Sequence, residues 1–484
     1  MLMKGQIILL VSVFVPILGA FFLPFIGAFS VRLRKYLALC FVTVSFISAT
    51  MMLEPLLKGQ TPYSFNWQFQ IATINISFGL LADWLAVFMA MISTFVSAII
   101  LLYSFGYISH YKNQNEYYLM VVLFIGAMMG IVFSTSLIFL YLFWEISAIC
   151  CWRLIGFFRE KEFILRADKA FLVTVFGALV MLLGFIIIYQ QTGTFDLTQM
   201  QGVTVSNVAV LLIMFGIFSK SATLPLHTWL PDAGVAPSSV TSLLHAAVLV
   251  KIGVYVFARL FIINFNMDVM WHTVIPVIAG VSALVSAGAA LKETNLKRII
   301  AYSTISQLGF IFLGLSTGSK LAAAGGLLYI MMHSLAKAGL FLCAGIIEQT
   351  SKEKDITKMG GFITKMPITA IAFLTCAFSV MGIPPFGGFF SKYMVISGTV
   401  TSGHPWIAMT FVVGAILTVI YLFRVFTMVF LGQVKLPSLK KEGSTSMLAS
   451  VTILSVLSLA GGILIYYPSS FVYNIVNQIG VMLK

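Results

Sequence analysis

The sequence predicts an all-α polytopic membrane protein with about fourteen transmembrane helices. Of its 484 residues, 60% are hydrophobic and 9% are charged, too little polar surface to coat a water-soluble globule. Apolar stretches of about 20 residues, the length that crosses the hydrocarbon of a bilayer, follow one another almost end to end. No polar interval is long enough for a soluble domain, so 1–484 is expected to form a single membrane domain.

Apolar runs between polar breaks place the helices near 6–28, 36–53, 80–108, 117–134, 136–158, 164–189, 207–230, 238–262, 270–291, 298–317, 321–347, 366–399, 406–431 and 446–467. The first run begins after Lys4 and continues beyond Ala20 to Phe29, and further spans follow it, so it is read as helix 1 and not as a secretory signal. Lysine and arginine alternate sharply between loops. One set holds Arg32, Arg34, Lys35, Lys112, Arg153, Arg159, Lys161, Arg166, Lys292, Lys297, Arg298, Lys352, Lys354, Lys358, Lys365, Lys435, Lys440 and Lys441; the other holds Lys4, Lys58, Arg259, Lys320 and Lys484. The positive-inside rule makes the rich side cytoplasmic and puts both termini on the outer face of a multi-pass protein, expected in the plasma membrane. The net charge of +14 is then a topology signal and not a nucleic-acid patch.

Five cysteines, Cys40, Cys150, Cys151, Cys343 and Cys376, fall in apolar stretches with neither CxxC nor Cys/His ligand spacing. No Gly-rich nucleotide loop occurs between a strand and a helix. The chain is therefore expected to hold no cofactor or metal and to have no active site of its own. Redox or nucleotide chemistry, where it powers the protein, belongs to a partner.

Six of the 29 lysines and arginines remain inside predicted spans: Lys169, Lys220, Lys251, Lys337, Lys392 and Arg424. Each costs about 2.5–3.5 kcal/mol at a helix centre, so each must face protein or water and not lipid. Glu145, in LYLFWEISAICC, is a lone carboxylate near the middle of helix 5; a structural ion pair is the plain reading, a titrating group the alternative. Lys220 precedes Pro225 in FSKSATLPLHTWLPDA. That proline lacks an N–H and clashes with the carbonyl of Ser221, so the helix should break beside the lysine, as helices do at ion sites in transporters. His245 and Lys251 share helix 8, about 9 Å apart along its axis and about 120° apart around it, so both can border one wet axis without sharing a face. His333 and Lys337 in MMHSLAKAGLFL are spaced i, i+4 and share a face. Helix 12 carries Pro384 and Pro385 among Gly382, Gly387 and Gly388, followed by Lys392. A proline-broken helix with a buried lysine thus occurs twice, which points to an internal repeat. Lys169 and Arg424 can snorkel to an interface, and Asp232 and His227 fix the turn after Pro225.

FWEISA, KSATLPLHTWLPDA, SLLHAAVLVKIGVYVFAR, NLKRIIAYSTISQLG, MMHSLAKAGLFL and GIPPFGGFFSK resemble the antiporter-like membrane subunits shared by NADH:quinone oxidoreductase (respiratory complex I), energy-converting membrane-bound hydrogenases and Mrp-type Na⁺/H⁺ antiporters. The resemblance implies two inverted five-helix repeats with discontinuous helices 7 and 12: a first repeat over 110–262, a second over 270–431, helices 1–3 peripheral and 446–467 the last helix. It implies Glu145 and Lys220 as a coupling pair, Lys251 with His245 as a connecting site, His333 with Lys337 as its continuation and Lys392 as the terminal site. Arg153, Cys150 and Cys151 fit no family pattern. No long lateral helix follows helix 14 before Lys484, which points to a shorter homologue than the distal subunit of complex I.

The function this implies is proton, or Na⁺/H⁺, translocation along a mid-membrane hydrophilic axis, as a subunit of a multisubunit respiratory complex that is itself an oxidoreductase. A subunit of a stand-alone Mrp-type antiporter is the alternative, and a non-translocating structural subunit the third reading. Expected partners are homologous antiporter-like and small membrane subunits, the bilayer and, for redox drive, peripheral iron–sulfur subunits. Reporter fusions at Lys112, Arg159 and Lys354 should report cytoplasm and fusions at both termini the outside; a cytoplasmic C-terminus would overturn the even helix count.

Overall fold

The computed structural model describes residues 2–71, 74–436 and 442–479; Lys440, Lys441 and Lys484 lie outside the described residues. The helices are α1 (Leu2–Phe29), α2 (Val31–Met51), α3 (Trp84–Tyr107), α4 (Gln114–Phe133), α5 (Leu137–Ile155), α6 (Lys161–Thr192), α7 (Asn207–Lys220), α8 (Ser238–Asn264), α9 (Trp271–Lys292), α10 (Leu296–Ser316), α11 (Lys320–Ser351), α12 (Pro367–Met381), α13 (Gly387–Thr401), α14 (Pro405–Phe430), α15 (Thr445–Ile463) and α16 (Tyr466–Ile479). The seventh crossing is α7 with the broken stretch after it. The twelfth is α12 and α13 with residues 382–386 between them. This is the expected all-α membrane fold, with two main additions beside a short parallel pair, Val203–Thr204 with Phe265–Asn266, and short helices at Leu53–Leu57 and Trp229–Asp232.

The first addition is a hairpin of β1 (Ser64–Ile71) and β2 (Ile74–Leu81), antiparallel with Ser64 opposite Leu81. Phe65, Trp67 and Phe69 alternate with Asn66, Gln68 and Gln70, the two-residue period of a strand. The sequence reading left 64–79 outside any helix and started helix 3 at residue 80, inside β2; the helix begins at Trp84. Phe78 packs at 4.7 Å on Phe139 and at 6.1 Å on Phe14. The second addition is α16, whose buried Val472, Ile475 and Val476 lie on one helical face, so helix 14 ends at Ile463 and a separate amphipathic helix follows.

Lipid-facing stripes are visible as exposed large apolar residues at helical spacing: Leu172, Phe176, Leu179, Leu183 and Ile186 on α6, and Met409, Val413, Ile416, Ile420 and Phe423 on α14. By contrast, α10 and α11 are buried along nearly their whole length. Of the three helices set outside the repeats, α1 and α2 carry exposed faces and α3 is largely buried.

The chain forms two compact units. One comprises the N-terminal stretch through Ala98, Tyr111–Lys220 and Lys251–Asp268; the other Ile99–His110, Ser221–Val250 and the chain from Val269 onward. The same strap recurs in each. In the first, Leu137 N–H donates to Phe195 O (3.0 Å) and Leu197 N–H to Thr135 O (2.7 Å), while Asp196 accepts from Thr198 N–H and Oγ1. In the second, Leu296 N–H donates to Lys354 O (3.0 Å) and Ile356 N–H to Thr294 O (3.0 Å), while Asp355 accepts from Thr357 N–H and Oγ1. Those bonds from Thr357 hold the Asp355 carboxyl below the usual carboxylate range. The segments are FDLTQM and KDITKM, a repeat that the sequence reading passed over. The second copy follows five crossings after the first along the chain.

Arg259 corrects an expectation. Assigned to an outer loop from the sequence, it is 6% exposed in the last turns of α8 and forms a two-pronged ion pair with Asp83, Nη1 to Oδ2 at 2.5 Å and Nη2 to Oδ1 at 2.8 Å. Tyr255 Oη accepts from Arg259 Nε at 3.0 Å and donates to Val132 O, and Asp83 also caps the start of α3 at Ala86 N–H. One guanidinium thereby ties together α3, α4 and α8. Removing one partner of such a pair costs about 3–5 kcal/mol, because the other charge stays buried. Asp83→Ala should therefore sharply lower the amount of assembled protein in detergent extracts, and Asp83→Ala with Arg259→Leu should recover much of it. Wild-type levels in the single variant would show that the pair holds nothing.

Candidate ion-translocation site

In the first unit, α7 ends at Lys220. The chain then leaves the helix, Ala222 takes a left-handed conformation (φ 52°), and Pro225 removes the N–H that Ser221 O would have accepted. Gly177 packs against Ser219, and Gly216 against Met181; a Cβ at either glycine would collide, so α6 and α7 approach closely just before the lysine. Lys220 is fully buried. Its Nζ donates to Trp144 O at 3.3 Å and lies 5.2 Å from the centre of the Trp144 ring. Glu145 is the next residue, half-buried, hydrogen-bonded by Tyr141 one turn earlier and within electrostatic reach of Lys220. No ion pair joins Glu145 to Lys220 among the described residues. Lys251, in the same unit, is fully buried on α8.

In the second unit, His245 lies in a π-helical turn, Leu243–Ala247, that interrupts α8. Such turns recur at functional sites. Its ring is buried at 4.5 Å from that of Phe341, neither ring nitrogen has a hydrogen-bond partner among the described residues, and Lys337 acts on it electrostatically. His333 and Lys337 lie on α11, both fully buried; His333 meets the Tyr329 ring edge-on at 5.8 Å. Lys337 Nζ donates to Ser303 Oγ at 2.6 Å and to Ile300 O at 3.2 Å. Lys392 Nζ donates to Val380 O at 2.7 Å and lies 4.6 Å and 5.5 Å from the ring centres of Phe310 and Tyr329. Val380 O is the carbonyl whose helical donor would be residue 384, and Pro384 has no N–H. The proline that breaks the helix thus frees the acceptor that the lysine takes.

The two units therefore divide the candidate residues into Glu145, Lys220 and Lys251 in one and His245, His333, Lys337 and Lys392 in the other. The break after Lys220 is anchored within the second unit. Leu224 N–H donates to Ser282 Oγ at 3.3 Å, and Asp232 pairs at 2.7 Å with Arg298, which also holds Glu293 at 2.8 Å. Burial pulls the Glu293 carboxyl upward, but the guanidinium and the N–H groups of Asn295 and Thr294 outweigh it and hold it below its ordinary range. His227 Nδ1 lies 3.4 Å from Pro225 O. Lys169 is exposed near the start of α6. Arg424 donates to the carbonyls of Leu291 and Glu293 at the end of α9, a helix cap and not a snorkel. Sequence reasoning missed Tyr141 and Trp144, although both stand within a turn of Glu145.

Residues 134–418 match the family described as NADH:quinone oxidoreductase/Mrp antiporter, transmembrane, and residues 67–118 match NADH-ubiquinone oxidoreductase (complex I), chain 5 N-terminus. The chain belongs to this antiporter-like membrane family. It is 33% identical over 471 residues to Na(+)/H(+) antiporter subunit A1 of Staphylococcus haemolyticus, covering 90% of this chain and 57% of that relative. To the Staphylococcus aureus subunit A1 it is 31% identical over 492 residues, covering 94% and 60%. The chain thus spans less than two thirds of these relatives' length. The fold matches a chain of the Mrp complex of Dietzia sp. DQ12-45-1b (TM-score 0.87, 21% identity, 98% and 99% covered) and one of the archaeal membrane-bound sulfane sulfur reductase (TM-score 0.87, 22% identity, 98% of each).

Proposed function

We propose that this antiporter-like subunit translocates protons, in exchange for Na⁺ or coupled to a partner's chemistry, along an axis built from Glu145, Lys220, Lys251, His245, His333, Lys337 and Lys392. The observation that carries this reading is that buried lysines beside both helix breaks are held by neutral acceptors, Trp144 O for Lys220 and Val380 O for Lys392. A carbonyl dipole or ring face stabilises an ammonium without fixing its proton as a carboxylate at contact distance does. Repeats over 110–262 and 270–431 would each contribute one break. The names of the Staphylococcus relatives favour drive by an ion gradient within a multisubunit antiporter. The family description, which spans quinone oxidoreductases as well, supports redox drive as the second reading. Co-purifying iron–sulfur subunits would select redox drive, and small membrane subunits alone would select the antiporter. With either reading we keep the expectation, drawn from the lysine and arginine bias of the loops, of a plasma-membrane chain with its termini outside.

Coupling follows from the Glu145–Lys220 relation. While the carboxylate is near, it stabilises the ammonium; drawing the two apart removes that support, and the buried lysine gives up its proton. Glu145→Gln keeps the shape and loses the charge, so it should abolish proton transport in everted vesicles. Lys220→Arg should fail as well, since a guanidinium does not release its proton at accessible pH. Wild-type transport by Lys220→Arg would make this lysine a fixed charge and overturn the mechanism.

A further inference from the structure

At the corner where α5 gives way to α6, the first unit holds a cavity of about 160 Å³ walled by Trp152, Arg153, Gly156, Arg159, Ile164 and Ala167. Both charged residues in that wall are arginines. One carboxylate, Glu116 on α4, serves the two. Its Oε1 accepts from Arg153 Nε at 2.8 Å and also from Arg153 Nη2, and its Oε2 accepts from Arg159 Nη2 at 2.6 Å. Two positive charges against one negative leave a surplus of one, and Glu116 leaves Arg153 Nη1 and Arg159 Nε and Nη1 unused. The Arg153 guanidinium lies 5.4 Å from the centre of the Trp152 ring, whose Nε1 donates to Asp168 at 2.7 Å. Other charges in this corner offset one another: Arg166 pairs with Glu162, while Lys161 follows Glu160 and Lys169 follows Asp168.

Arg159 stands in the left-handed region (φ 57°), where glycine or asparagine is the ordinary choice, so the turn alone does not account for an arginine there. Ile164, in the cavity wall, begins an exposed apolar stripe of α6 that continues through Leu165, Leu172 and Phe176. A cationic cup at the end of a lipid-facing stripe has the layout of a phospholipid, with phosphate at the arginines and chains along the helix. The planar fork of arginine matches two phosphate oxygens, and basic pockets between membrane helices take anionic head groups in this way. The surplus of one charge fits one phosphodiester. A zwitterionic lipid carries an ammonium beside its phosphate and has no net charge to offset that surplus. We infer that this corner is a site for one anionic phospholipid of the phosphatidylglycerol kind, its phosphate held by Arg153 and Arg159 and its chains laid on α6. The lipid pins the last turn of α5, the helix that carries Trp144 and Glu145.

The test uses the intact complex, delipidated in detergent and examined by native mass spectrometry with short-chain phosphatidylglycerol, short-chain phosphatidylcholine or inorganic phosphate. The wild type should retain one phosphatidylglycerol more tightly than any phosphatidylcholine, and excess inorganic phosphate should not displace it. Arg153→Gln and Arg159→Gly should each weaken that binding about tenfold, the worth of one hydrogen bond to a charged group. Each variant leaves the other arginine on Glu116, and glycine also suits the left-handed backbone, so the amount of co-purified complex should be unchanged. Equal retention of the two lipids would reduce the corner to ordinary lipid contact and overturn the inference. Displacement by inorganic phosphate would make it a plain anion site, and unchanged phosphatidylglycerol binding in both variants would remove the arginines from the lipid; either result overturns the inference as well. Loss of partner subunits from the variants with lipid binding unchanged would give the pocket to an acidic protein segment instead.

Discussion

An ammonium buried at the depth of a membrane helix has to be satisfied by protein, and the kind of acceptor decides whether it is scaffold or machinery. Arg259 shows the first case. Its guanidinium meets a carboxylate and a tyrosine hydroxyl, all buried, and the group is a permanent charge that fixes three helices. Lys220 and Lys392, which we propose as the second, have a single carbonyl and aromatic faces as their close partners. The same solvent constraint produces both, but only a lysine held by neutral groups can gain and lose its proton without leaving an opposite charge stranded.

At the second broken crossing the break itself supplies the acceptor. A continuous membrane helix spends its carbonyls internally, and a proline releases one at a position set by chemistry: residue i−4. At Pro384 the released carbonyl is Val380 O, which Lys392 takes from twelve residues further along. At Pro225 the arrangement differs, because Lys220 precedes its break and reaches to α5 for Trp144 O. The two broken crossings share a design, while their lysines stand on opposite sides of the break.

Most of the fold was legible because the bilayer forces long apolar helices, and length and hydropathy alone mark those. The hairpin at Ser64–Leu81 was missed because the search was for long apolar runs, and here apolar and polar residues alternate: Phe65, Trp67 and Phe69 with Asn66, Gln68 and Gln70. Arg259 was misplaced because a lone arginine near a helix end looks like a loop residue until Asp83, far away in sequence, is brought to it. Buried lysines and histidines could be named from their cost in lipid, but not sorted into two units or assigned acceptors, since backbone carbonyls leave no mark in a sequence. The Val380 acceptor is the exception, computable from Pro384. The strap repeat FDLTQM and KDITKM was also readable, and needed only a search for short motifs instead of long ones.

The central claim is that Lys220 changes its protonation during transport and is not a fixed charge. Infrared difference spectroscopy of the reconstituted complex, switched between driven and resting conditions with lysine labelled by ¹⁵N, observes that event directly. The account predicts an isotope-sensitive ammonium band in the difference spectrum that disappears in Lys220→Arg. Identical difference spectra for the wild type and that variant would contradict it.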